Sequence, residues 1–161
     1  MSCETQAVTP HIVVKDAAAA IEFYKKAFGA TEIMRMAAKD VDCMGPAPKD
    51  DKRLVHAQIE INGSNIMLAD EFPERECYGP QQTGSTAVSL HLYVDDVDAV
   101  MDRAALHGAK ITMPAQDMFW GDRYGRLVDP FGHSWSVATP LKTDAHQHSH
   151  KEHVHGAGCS H

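Results

Sequence analysis

No apolar run in this chain approaches the ~20 residues of a membrane-spanning helix. The opening segment, Met1-Ser2-Cys3-Glu4-Thr5-Gln6, has no basic stretch leading into an apolar core. A secretory leader is therefore not expected, and the cytoplasm is the expected location. Cysteine is sparse and unpatterned: Cys3, Cys43, Cys77 and Cys159 form no Cys-x-x-Cys and read as free thiols in a reducing compartment. Basic residues are outnumbered, 15 Lys and Arg against 22 Asp and Glu, for a formal charge of -7. That balance argues against a nucleic-acid partner, which needs a cationic face. Also missing are a glycine-rich phosphate loop, a nucleophile elbow and a Cys/His dyad, which removes P-loop and serine- or cysteine-type hydrolytic chemistry.

What is present is a repeat. Pro10-His11-Ile12-Val13-Val14-Lys15-Asp16 is echoed about eighty residues later by Leu90-His91-Leu92-Tyr93-Val94-Asp95-Asp96. Each copy runs into a helical pattern ending at Gly-Ala (Gly29-Ala30, Gly108-Ala109), then a strand ending in Met (Met34, Met113). Two copies of one supersecondary unit are expected, and both carry a histidine at the same strand position.

The periodicity fills in the units. Residues 9–14 read as a strand. Asp16 caps a helix over 17–28, with Ala18, Ile21, Ala27 and Phe28 as its buried stripe and Gly29 as its left-handed stop. A strand over 30–36 and a polar loop over 38–52 follow. Leu54–Ile61 alternates cleanly, Asn62-Gly63 is a hairpin turn, and Ile66–Ala69 returns. Residues 70–86 read as a loop. The second unit repeats the order: strand 87–94, helix 96–107, strand 110–113, loop 114–122, strand 123–128, turn Asp129-Pro130-Phe131-Gly132 and strand 134–138. Each unit is thus βαβββ. The domain they form spans 9–140, with about 9–70 in the first unit and 87–140 in the second, after an extension over 1–8.

If the apolar face of every strand meets a helix, the opposite face lines a cavity. That face holds Thr9, His11, Val13, His56, Gln58, Glu60, Met67, Ala69, Ser89, His91, Tyr93, Ser134 and Ser136. Imidazole and carboxylate together bind zinc, nickel, manganese or iron, and His11, Glu60 and His91 are the candidate set. Solvated or hydrogen-bonded strand residues are the plain alternative. Phe119, Trp120 and Arg123 lie in a loop entering a strand, and such loops commonly wall pockets; there the alternative is a packed turn with Asp122 and Arg123 paired at the surface. His133 reads as a surface histidine beside a turn. From 141 the periodicity is lost, and the tail is expected to be disordered. Its His146, His148, His150, His153 and His155 alternate in a pattern that chelates divalent ions or simply solvates the tail.

Two segments carry a resemblance: Ala20-Ile21-Glu22-Phe23-Tyr24-Lys25-Lys26-Ala27-Phe28-Gly29-Ala30, and the run from Trp120-Gly121-Asp122-Arg123-Tyr124-Gly125 through Asp129-Pro130-Phe131-Gly132-His133-Ser134-Trp135. With the repeat, they make the chain resemble the vicinal oxygen chelate superfamily over about residues 8–140. Glyoxalase I, bleomycin and fosfomycin resistance proteins and extradiol dioxygenases belong to it, and the PhnB-like branch is the nearer match. The resemblance implies an α+β fold of paired βαβββ modules forming a cup-shaped half-barrel, usually in a homodimer. It also implies four metal-ligand places, which fall here on Thr9, Met67, Ser89 and Ser136. Three functions follow as expectations. One is a protein that binds a small planar molecule through His11, Gln58, His91, Tyr93, Phe119, Trp120 and Arg123. Another is a divalent-metal-dependent lyase, isomerase or dioxygenase with a displaced ligand set. The third is metal handling by the tail.

Overall fold

The computed structural model describes residues 6–41, 45 and 48–142. In chain order the elements are β1 (His11–Val14), α1 (Ala17–Phe28), β2 (Thr31–Ala37), β3 (Leu54–Ile61), β4 (Ser64–Asp70), α2 (Pro80–Thr83), β5 (Ser89–Tyr93), α3 (Val97–Leu106), β6 (Lys110–Asp117), β7 (Asp122–Val128) and β8 (Ser134–Pro140). They build two four-stranded mixed sheets, ordered β1-β4-β3-β2 and β5-β8-β7-β6. β1 runs parallel to β4 and β5 parallel to β8, while the other pairings are antiparallel. The topology is the same twice over, as the repeat requires, and among the described residues no ladder closes the sheets into a barrel.

Both long helices start alike. Asp16 and Asp96 accept the backbone N–H three residues on, at 3.0 and 3.1 Å, satisfying a donor that the first turn leaves free. Gly29 stops α1 at φ 70°, a conformation a side chain would disfavour. The buried stripe of α1 is Ala17, Ala20, Ile21, Phe23, Tyr24, Ala27 and Phe28. Ala18, expected inside, is exposed, because a stripe through Ile21 and Phe28 passes through Ala17 and Ala20 instead.

The loops hold more structure than their composition announces. β4 begins at the turn itself, Ser64, rather than at Ile66. β6 continues to Asp117 through Pro114, which sits on the edge strand of its sheet, where a missing N–H donor is tolerated. Pro80–Thr83 forms one helical turn inside the segment expected to be loop.

One core spans both units. Leu68, Ile59 and Val14 from the first sheet and Leu92, Leu127, Val137 and Trp135 from the second belong to one cluster with α1 and α3. Trp135 is 2% exposed, and its ring lies 4.7 Å from Phe28 and 5.6 Å from Tyr24. Burying a side chain of this kind is worth about 1.5–3 kcal/mol. Asp129 locks the units together by accepting from Tyr24 Oη at 2.6 Å and Trp135 Nε1 at 2.9 Å. The Tyr24 phenol is accordingly pushed well above its usual pKa, by burial first and by Asp129 second.

Candidate functional site

Strand alternation turns one face of each sheet to its helix and leaves the other free. In the first sheet the pairings put His11, Met67, Gln58 and Met34 in one row of the free face, and His56 beside Met36 in the next. The second sheet has the rows His91–Ser136–Arg126 and Tyr93–Ala138–Tyr124. Met67 stands to His11 as Ser136 stands to His91.

The second sheet's free face is aromatic. His91 lies 4.6 Å from Tyr93 and stacks on Tyr124 at 6.1 Å and 20° between ring planes. Tyr124 meets Trp120 edge-on at 5.5 Å, and Trp120 meets Phe119 at 5.1 Å. Asp122 ties the group, accepting from Trp120 Nε1 at 3.1 Å and Tyr93 Oη at 3.3 Å. The nearby Asp122 charge raises the Tyr93 pKa. His91 Nδ1 and Ser136 Oγ are 2.7 Å apart, which fixes the imidazole. These aromatics stay open to solvent: Tyr93 is 53%, Trp120 50% and Phe119 97% exposed.

Arg123 does not join this group. Its guanidinium donates to Asp98 on α3 at 2.7 and 3.0 Å and to Asp117 at 3.0 Å. Strand parity explains this: Arg123 shares the helix side with Gly125 and Leu127, while Asp122, Tyr124 and Arg126 take the other face. The surface pairing considered for Asp122 and Arg123 is replaced by separate partners for each. Tyr124, absent from the expected site, sits at the middle of the cluster, and the alternation of 123–128 was the feature that could have found it.

Among the clefts along the seam between the units, two share Pro10 and Leu90 in their lining. One, of about 410 Å3, takes in His11, Val13, Tyr78, Val88 and His133. The other, of about 440 Å3, takes in Ser89, His91, Tyr93, Asn62 and Asn65. Of these two, His11 lines the first and His91 the second. Both volumes fall in the range of small-ligand sites. Matching hydrogen bonds clamp the seam: Asn62 Nδ2 donates to the Tyr93 carbonyl at 2.9 Å, and His133 Nε2 lies 2.8 Å from the Val13 carbonyl. His133, expected at the surface, is thus half-buried, and the bond requires its proton on Nε2.

The model of the Glyoxalase/Bleomycin resistance protein/Dioxygenase superfamily matches residues 6–137. The chain belongs to this superfamily. It is 44% identical to the Mycobacterium bovis protein Mb0911c over 140 residues, 84% of each chain. Among solved structures it resembles protein PA1353 from Pseudomonas aeruginosa, with a TM-score of 0.67 and 22% identity over 86% of this chain and 100% of that one. It also resembles a PhnB protein from Bacillus cereus, with a TM-score of 0.62 and 23% identity over 83% and 99%. At such identities these two likenesses speak for the fold alone.

The superfamily implies a divalent metal, and the residues at the implied ligand places do not fit one. Thr9 Oγ1 donates to the Gln6 carbonyl at 3.4 Å. Ser89 Oγ is 2.7 Å from Ser134 Oγ, and Ser136 Oγ is engaged with His91. Neutral hydroxyls and the Met67 thioether make a poor set for a hard or borderline divalent ion. The displaced set His11, Glu60 and His91 is not assembled: among the described residues no three His, Cys, Asp or Glu side chains converge. Glu60 is exposed and pairs with Thr31 and Asn65, a row beyond Gln58, while His91 belongs to the other sheet. Gln58 is half-buried in the His11 row. The tail histidines lie outside the described residues. Cys77 is a free thiol, and among the described residues no helix is long and apolar enough to cross a membrane.

Proposed function

We propose that the protein binds a small planar organic molecule on the free face of its second unit, with His91, Tyr93, Tyr124 and Trp120 as the stacking wall. The aromatic cluster around Asp122 is the observation that carries this reading. His91, Tyr93 and Trp120 are held by hydrogen bonds and open to solvent, Tyr124 is half-buried between them, and such rings are ready to stack; aromatic pairs gain about 0.5–1.5 kcal/mol beyond their buried area. Directed polar groups are at hand in His91, Asp122 and Arg126. The Arg126 guanidinium donates to Ser89 Oγ at 3.5 Å, its one partner among the described residues. A seam cleft of about 440 Å3 adjoins the wall through His91 and Tyr93. A homodimer is part of the same reading, and light scattering tests it.

Trp120 supplies the assay, since it is half-exposed while Trp135 is buried. A panel of flat heteroaromatic compounds is screened by tryptophan quenching and thermal shift in the presence of EDTA. At one hundred times Kd a ligand stabilises by about 2.7 kcal/mol. The expected result is a compound that quenches and stabilises in chelator and does neither in Trp120→Ala. Binding abolished by chelator would favour the metal-dependent reading instead. Binding that Trp120→Ala and Tyr124→Ala both leave intact would put the ligand elsewhere.

A further inference from the structure

The free face of the first sheet has a different chemistry. His11 on β1 and His56 on β3 are separated by the intervening strand β4, yet their ring centroids are 5.8 Å apart at 79°. Both side chains therefore lean over β4. On β4, Met67 is the register partner of His11 and of Gln58 and shares their face; His56, two residues before Gln58 on that face, stands one row on and is the diagonal neighbour of Met67. Met36 stands opposite His56 on the same face and is 37% exposed.

We propose that His11, His56 and Met67 form a binding site for a soft monovalent ion of the copper(I) class. The separation of the rings suits one shared ion. With metal–nitrogen bonds of about 2 Å, two imidazoles on a common ion hold their centroids about 5–6 Å apart. The rings are also unengaged. His91 and His133 spend a nitrogen on Ser136 and on the Val13 carbonyl, whereas neither His11 nor His56 makes a hydrogen bond among the described residues. The donor set decides the class of ion. The row holds Gln58 where a hard ion would want a carboxylate, and thioether sulfur selects soft metals. This set lies on one sheet and shares only Met67 with the four superfamily places.

The test uses the full chain labelled with 13C at the methionine methyl groups. Silver(I) is the redox-silent probe, followed by copper(I) under anaerobic conditions. Met67→Leu assigns the Met67 resonance. Ions taken up by the tail or by cysteines leave that resonance in place, so the readout is local. The expected result is a Met67 methyl shift that saturates with either ion. His11→Asn and His56→Asn, at exposed or half-buried positions, should each weaken it by more than the roughly tenfold typical of losing an outer-shell partner. The proposal is overturned if excess ion leaves the Met67 resonance unmoved, or if both Asn variants titrate within about twofold of the parent.

Discussion

Replacing Asp129 by Asn keeps the shape of the side chain and removes its charge. The carboxylate is 4% exposed and accepts four hydrogen bonds. Oδ1 takes Phe131 N at 2.9 Å and His133 N at 3.0 Å, and Oδ2 takes Tyr24 Oη at 2.6 Å and Trp135 Nε1 at 2.9 Å. In the variant the oxygen facing the two backbone donors is retained. An NH2 group then faces Tyr24 and Trp135. The tyrosine hydroxyl can turn to accept, but the indole N–H cannot. One buried donor is left unpaired, costing about 1–3 kcal/mol, and the surviving bonds lose their charge assistance. Relief of a buried charge offsets part of this, and the expected net loss is about 3 kcal/mol. In a chain of this size that lowers Tm by about 10 °C. Urea unfolding followed by circular dichroism measures it, with the midpoint falling and m unchanged. Tyr24→Phe removes one bond to the charged group and should cost less, about 1.5–3 kcal/mol. An Asp129→Asn variant within about 0.5 kcal/mol of the parent, the range of ordinary surface substitutions, would refute the inter-unit lock.

Two further outcomes follow from the fold. Arg35, and then Lys25, hold the Glu32 carboxyl down from its ordinary 4.5 to about 2. A depressed carboxyl contributes stability that is full above pH 4.5 and is lost as pH falls toward 2. Glu32→Gln should therefore flatten the acid limb of stability in that window, and an unchanged limb in pH-dependent unfolding would contradict the assignment. Gly125 on β7 lies beneath α3, where an added Cβ would collide with Met101 Sδ and meet the Met113 carbonyl at 3.1 Å. Gly125→Ala should destabilise by about 1–3 kcal/mol through overpacking, and a neutral result in the same unfolding assay would show that Met101 repacks freely.

Much of the architecture was legible because its causes are local. Asp16 and Gly29 bracket α1 at the expected ends, since an N-cap acceptor and a left-handed stop act within one turn. Leu54–Ile61 keeps its predicted limits because alternation and the Asn62-Gly63 turn agree. β6 ran past its expected end at Met113, because tolerance of Pro114 depends on edge position, which composition does not record. The site was legible in part. His91, Tyr93 and Trp120 were named and lie in one cluster, while Tyr124 was passed over and Arg123, named as a pocket residue, pairs instead with Asp98 and Asp117 on the helix side.

By itself the sequence determined the βαβββ unit, its duplication and which strand positions point away from the helices, because periodicity, caps and turns are properties of neighbouring residues. Only the tertiary structure decided who meets whom across strands. It put His56 against His11 over Met67, gave Arg123 to Asp98 and Asp117, brought Tyr124 between His91 and Trp120, and turned His133 onto the Val13 carbonyl. Those partners depend on strand order, register and the packing of one unit on the other. Residues up to 120 positions apart meet there, and no local pattern encodes them.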